Sequence, residues 1–225
     1  MTHPGAPMTI AYAEPRARQW IHHGSVPLPE RAFQHILAAI LRGDYLSGDT
    51  LSTLRFAKEL DMSLNPIREA IIRLRDIGLV QVTPARYTKV ADFSTPESRA
   101  AIGYAGVLAG AALRKALPTT ADEVRSDLAA ELELIDRAET SGDRNAAVIA
   151  FLSAAADLVE HPRQAMHLVE SSILARCALQ VAAASLPDHA TQSQSAAAGT
   201  AARAIRAAEP EIAETAVRAL FDQLV

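Results

Sequence analysis

The apolar residues first fall into a regular step at Pro29. Phe33, Ile36, Leu37, Ile40 and Leu41 recur at spacings of three and four, which predicts a helix over 29–42 with one buried face. Gly43 ends it, and Ser47-Gly48-Asp49 reads as a turn. A second, short helix over 52–61 is expected to bury Leu54, Phe56, Ala57 and Leu60. Met62-Ser63-Leu64-Asn65-Pro66 then makes a tight turn, with Ser63 or Asn65 as N-cap and Pro66 in the first turn of a third helix running to Asp76. That helix turns Ile67, Ala70, Ile71 and Leu74 inward, and Gly78 stops it. The period now changes to two. Residues 79–82 and 87–90 alternate as strands around a turn at 83–86. Three helices followed by a hairpin is the layout of a winged helix-turn-helix, in which a short helix, a turn and a second helix read DNA and the hairpin is the wing.

After Phe93 the pattern is helical throughout. Ser94-Thr95-Pro96-Glu97 reads as a linker running into an N-cap, and breaks at Pro118-Thr119, Ser141-Gly142-Asp143, His161-Pro162, Pro187-Asp188 and Glu209-Pro210 divide the rest. Six helices result, over 95–117, 119–140, 143–159, 162–186, 189–208 and 210–224. The expected fold is mainly α: an N-terminal winged helix-turn-helix (28–93) and a C-terminal all-α bundle of about six helices (94–225). Residues 1–27 read as an N-terminal arm, partly disordered and punctuated by Pro4, Pro7, Pro15 and Pro27. Within it, 11–23 reads either as a short helix docking Trp20 and Ile21 or as a mobile segment. His22 and His23 are a poor metal pair, since adjacent helical residues point about 100° apart.

Length and composition bound the answer without naming it. At 225 residues, one or two domains are expected, and 49 % apolar residues supply a core. No apolar run approaches eighteen uninterrupted residues and no secretory leader opens the chain, so no membrane partner is expected. The single cysteine, Cys177, excludes an internal disulfide framework and a cysteine-rich zinc site, and with the missing leader predicts a cytoplasmic protein. No Ser/His/Asp order, glycine-rich phosphate loop or metal cluster argues for an enzyme. The net charge of −4 speaks against a nucleic-acid partner until the chain is divided. Residues 1–93 hold 11 Lys and Arg against 9 Asp and Glu, while residues 94–225 hold 11 against 17 and 35 of their 132 residues are alanine. Two physically different pieces are joined.

The first piece resembles a known family. Ala39-Ile40-Leu41-Arg42-Gly43 and Ser47-Gly48-Asp49-Thr50-Leu51, then Leu60-Asp61-Met62-Ser63-Leu64-Asn65-Pro66-Ile67-Arg68-Glu69-Ala70, then Leu74, Gly78-Leu79-Val80, Pro84, Arg86 and Val90 resemble the GntR family of bacterial transcription regulators over about sixty residues. Read mechanically, the start of the third helix presents Ser63, Asn65 and Arg68 to base edges, with Arg73 further along. Asparagine pairs bidentately with adenine, and arginine with guanine or a phosphate. Arg55 on the second helix and Arg86, Thr88 and Lys89 on the wing are expected to grip phosphates. The sequence departs from the family pattern at Leu64, where the family has an arginine, and at Tyr87, where it has the wing glycine. Those departures touch the operator sequence rather than DNA binding.

The second piece resembles the FadR type, in its FCD effector-binding variant. The resemblance rests on Ala204-Ile205-Arg206-Ala207-Ala208-Glu209-Pro210-Glu211-Ile212-Ala213-Glu214-Thr215-Ala216, with Ala150-Phe151-Leu152 and His161-Pro162 as further landmarks. The resemblance implies a divalent metal held by one Asp and three His, but those positions map to Val148, Leu152, Ala198 and Leu220. The accompanying cavity arginine and glutamate map to Ala105 and Ala109. A site without a nitrogen or carboxylate ligand holds no such cation, so no metal and no cofactor are expected. The space reads either as an apolar effector pocket or as a closed core. Candidate pocket residues are Val148, Leu152, Ala198 and Leu220, with Arg114, Arg137, His167 and Arg176 as polar anchors.

The expected function is therefore a homodimeric, sequence-specific transcription regulator, a repressor, binding a roughly palindromic double-stranded DNA operator and released by a small apolar or acidic effector. The alternative is a ligand-blind DNA-binding protein with a degenerate, metal-free effector domain.

Overall fold

The computed structural model describes residues 26–84, 86–183 and 191–224. Helix α1 (Leu28–Arg42) buries Ala32, Phe33, Ile36, Leu37, Ala39, Ile40 and Leu41. It ends where Gly43 takes the left-handed conformation (φ 84°), which costs a glycine nothing and lets its N–H close on Ile40. Helix α2 (Thr53–Glu59) starts at Ser52, whose hydroxyl accepts from the Arg55 N–H at 3.2 Å. Helix α3 (Leu64–Ile77) starts at Ser63 and ends at Gly78, again left-handed. Strands β1 (Val80–Thr83) and β2 (Tyr87–Val90) pair antiparallel, Val80 opposite Val90 and Thr83 opposite Tyr87. The segment after α1 runs along the free edge of β2: the Leu51 N–H donates to Thr88 and the Val90 N–H to Asp49. The wing is thereby tied to the chain that leads into α2.

One expectation fails here. Leu54 does not enter the core but stands 62 % exposed. Phe56 alone of the α2 residues is fully buried, because seven residues make two turns and only one apolar position per turn reaches α3.

The remaining described chain is helical: α4 (Thr95–Ala116), a 3₁₀ turn (Leu117–Thr119), α5 (Asp122–Arg137), α6 (Ser141–Asp157), α7 (Pro162–Ala182), α8 (Gln192–Arg206) and α9 (Pro210–Phe221). Helix α8 begins at a capping box in which Thr191 and Gln194 exchange side-chain and backbone hydrogen bonds, three residues later than the predicted 189. The predicted arm (1–25 of it), the His22-His23 pair, Trp20, Ile21, Pro187-Asp188 and His189 lie outside the described residues. His161 is the N-cap of α7 by position, without a side-chain hydrogen bond.

Helix α4 is the centre of this part, packed on α7 and α9 with α6 nearby, while α5 lies against α6 and α8. Its contact with α9 depends on glycine. A Cβ at Gly106 would overlap the Cβ of Phe221, and one at Gly110 would lie 3.2 Å from the Glu214 side chain and carbonyl. By length and composition alone α4 is apolar enough to cross a membrane, a feature hidden from a search for uninterrupted apolar runs. Within the fold, packing against α7 and α9 uses part of that apolar surface. The two parts meet where the Gln180 side chain donates to the Leu41 carbonyl at 2.9 Å and where Leu174 lies over Gly78. Ser47 anchors the connecting segment, accepting from the Phe93 N–H and donating to the Ala91 carbonyl.

Candidate nucleic-acid interface

The turn between α2 and α3 exposes the first turn of α3. Ser63, Asn65, Arg68, Glu69 and Ile72 are all exposed, while Pro66, Ile67, Ala70 and Ile71 beneath them are buried. Asn65, Arg68 and Ile72 follow at i, i+3 and i+7, so they share one face. The arginines of this helix divide sharply. Arg73 donates to Glu30 at 2.6 Å and lies 4.1 Å from the centre of the Phe33 ring, so it clamps α3 to α1. Arg75 is held by Asp76 at 2.7 Å. Arg68 is exposed and, among the described residues, held by no ion pair. Of the two predicted arginines on α3, Arg73 is thus tied to Glu30 and Phe33 of α1, whereas Arg68 is not.

Arg55 on α2 is 66 % exposed and pairs with Glu59 at 2.6 Å. The hydrogen bond from Arg55 holds the Glu59 carboxyl below the usual carboxylate range and raises the arginine in turn. His35 on α1 approaches the same carboxylate at 3.6 Å. A phosphate oxygen near Arg55 would compete with Glu59 for a guanidinium that keeps donors to spare.

On the wing, Arg86 is exposed in the turn. Strand alternation puts Tyr87 and Lys89 on one face of β2 and Thr88 and Val90 on the other. The Lys89 ammonium lies 5.3 Å from the Tyr87 ring centre, so the aromatic ring at the position of the family's wing glycine steadies a cation. Thr88 sits on the side of the buried Val90, across the strand from Tyr87 and Lys89, and both Thr88 and Lys89 are half-buried. Of the predicted contact residues, Ser63, Asn65 and Arg68 at the start of α3, Arg55 on α2 and Arg86 on the wing are exposed, and Lys89 is half-buried.

Exposed residues on these elements outside the predicted contact set include Leu54, Glu69 and Ile72. Leaving a leucine or isoleucine in water forgoes about 1.5–3 kcal/mol of burial. Ile72 lies on the face of Asn65 and Arg68, where an apolar side chain suits a thymine methyl and a carboxylate such as Glu69 suits a cytosine amino group.

Of the expected effector pocket, the apolar positions lie in the core and Arg114, Arg137 and His167 lie at the surface. Val148, Leu152, Ala198 and Leu220 are all fully buried core residues, as are Ala105 and Ala109. Arg114 points outward, 57 % exposed, and pairs with Glu214 at 3.1 Å. Arg137 pairs with Glu133 on the surface, and His167 is 60 % exposed beside Glu170. Arg176 is half-buried. The polar group the sequence reading missed is Arg144, 1 % exposed on α6 and one and two turns before Val148 and Leu152. It sits in the polar first turn of α6, between Asp143 and Asn145, so nothing in the sequence marks it as buried. Two crevices lie elsewhere: one of about 580 Å³ along α8 and α9 beside Ala197, Ile212 and Ala216, the other of about 340 Å³ where Tyr45 and Phe93 meet Cys177 and Val181.

Residues 28–90 match the family model of bacterial regulatory proteins, gntR family. The chain carries a GntR-family domain. Its limits coincide with α1 and the end of β2. Solved structures of similar fold include two that match over most of the chain. One is a protein described as a GntR transcriptional regulator from Rhodococcus sp. RHA1, at 23 % identity and a TM-score of 0.63, covering 86 % of this chain and 93 % of that one. The other is E. coli McbR/YncC, at 16 % identity and a TM-score of 0.60, covering 88 % and 95 %. None of the curated proteins matches the chain. At these identities the structural likeness concerns the fold, and the GntR domain carries the regulatory assignment.

Proposed function

We propose that this GntR-domain protein is a homodimeric repressor that reads a roughly two-fold operator with the start of α3 and grips its backbone with α2 and the wing. The observation that carries the reading is Arg68, an exposed arginine free of ion pairs among the described residues, on the same helix face as Asn65 at the opening of a helix-turn-helix. A bidentate guanidinium to guanine and an amide to adenine specify sequence, while Arg55, Arg86 and Lys89 position the domain without reading bases. Two such domains related by a two-fold axis require related half-sites. Mobility shifts with the chain's own upstream region test this. The expected outcome is a discrete complex whose affinity falls steeply with salt; salt-independent binding, or none, contradicts it.

A second reading, ligand-blind DNA binding with a degenerate helical domain, is favoured by the scatter of the predicted pocket. Arg114 and His167 face solvent, and the interior positions are buried and apolar. The donor set does not fit the metal that the FCD resemblance implies. Val148, Leu152, Ala198 and Leu220 offer no ligand atom. This reading predicts that elemental analysis finds no stoichiometric zinc or nickel, and that no metabolite both raises the melting temperature and releases DNA. Either positive result would sink it.

A further inference from the structure

Beneath the DNA-binding reading lies the question of what brings two copies together, and α4 offers a surface for it. Its buried residues, Ser98, Ile102, Ala105, Gly106, Ala109, Gly110 and Leu113, are those turned into the bundle. On the outside, Glu97, Ala100, Tyr104, Val107, Ala111 and Arg114 are exposed. Their spacing is three, four, three, four, three, the period of a straight seam between two packed helices. Tyr104 is 56 % and Val107 37 % exposed, so the seam carries real apolar area in water.

The pattern is also symmetric. Turned end for end about a point between Ala105 and Gly106, the stripe meets itself with Glu97 opposite Arg114, Ala100 opposite Ala111 and Tyr104 opposite Val107. Each acid faces a base and each small residue faces a small one. Alanine pairs let the helix axes approach closely on either side of the Tyr104–Val107 centre. Arg114 already pairs with Glu214 at 3.1 Å and lies 3.6 Å from Glu211, yet it stays 57 % exposed, and a guanidinium has donors for a further carboxylate. A foreign helix would have to reproduce this order of charges and sizes, whereas a second copy supplies it by symmetry.

We propose that the Glu97–Arg114 stripe of α4 is an isologous dimer seam, packed antiparallel against α4 of a second copy. The proposal rests on the homodimer reading and adds to it which surface is buried and in which direction. It makes α4, the helix that leaves the wing, the axis about which two GntR domains are spaced.

Disulfide trapping in the full chain tests the register. Cys177 stays in place, since it is buried. In the antiparallel seam, position 100 of one copy lies beside 111 of the other, while like positions are separated by 11 residues, about 16 Å of helix. Chains carrying Ala100→Cys and Ala111→Cys, mixed and oxidised mildly, are expected to link to each other and not to themselves. Tyr104→Glu, at an exposed position, is expected to shift the sedimenting mass from twice the 24.0 kDa chain to one chain with an unchanged circular dichroism spectrum. If the wild type is a dimer but the unlike pair does not link, or Tyr104→Glu leaves the dimer intact, the seam is overturned and the dimeric reading stands. A wild type that sediments as one chain at tens of micromolar overturns both.

Discussion

At the scale of single residues, the arginines of α3 show how much a structure adds to a charge count. Arg68 and Arg73 look alike in sequence, five positions apart, and both sit where a DNA reader carries cations. Glu30 and the Phe33 ring hold Arg73 against α1, and among the described residues no ion pair holds Arg68. Arg73→Ala is therefore expected to lower stability by about 0.5–1 kcal/mol, the worth of a half-exposed stack and ion pair, with operator affinity nearly unchanged. Urea unfolding beside a DNA titration separates the two effects. Cys177 gives a second prediction. Burial pushes its thiol up to about 12, while the unfolded chain ionises near the ordinary value of about 8.5. Between those values the unfolded state has released a proton that the folded state keeps, so stability falls as pH rises through that window and is untouched below it. The folded protein should resist a thiol reagent at pH 8 and react once denatured.

At the scale of elements, the helices of the GntR domain were legible because their apolar residues keep one period and their ends carry Gly43, Ser52 and Gly78. Leu54 was misread for a related reason. A periodic pattern states which residues share a face, but a two-turn helix has too little partner surface to bury all of them. The polar anchors of the predicted effector pocket were misread differently. Resemblance supplied positions, and the positions do lie in the core, but whether Arg114 or His167 points inward depends on the rotation of α4 and α7, which alanine-rich sequences leave weakly marked. The same weak marking hid Arg144. Helix packing also makes its own prediction: Gly106→Ala drives a methyl into Phe221 and should cost about 1–3 kcal/mol in thermal or urea unfolding. A substitution at Gly43 would meet open space and be limited only by its positive φ.

For the whole molecule, the division of charge carries the most meaning. A net charge of −4 hid a DNA-reading front end, because the acidity is concentrated after Phe93. The acidic helical part repels the DNA backbone and leaves the winged helices as the surface it meets. Length, the change of period at Phe93 and the alanine excess made the two-part organisation readable in advance. The contacts that join the parts, Gln180 on Leu41 and Leu174 over Gly78, had no such signal, since each is a single side chain meeting distant backbone.

If α3 reads base edges through Arg68, footprinting shows it directly. Sites selected from genomic DNA by the purified protein, protected at moderate salt, should show two related half-sites. Arg68→Ala should weaken binding by about 1–3 kcal/mol, roughly ten- to a hundredfold, and relax the preference at one base pair in each half-site. A variant that binds the same sites with the same preference, or a wild type that protects no site, would contradict it.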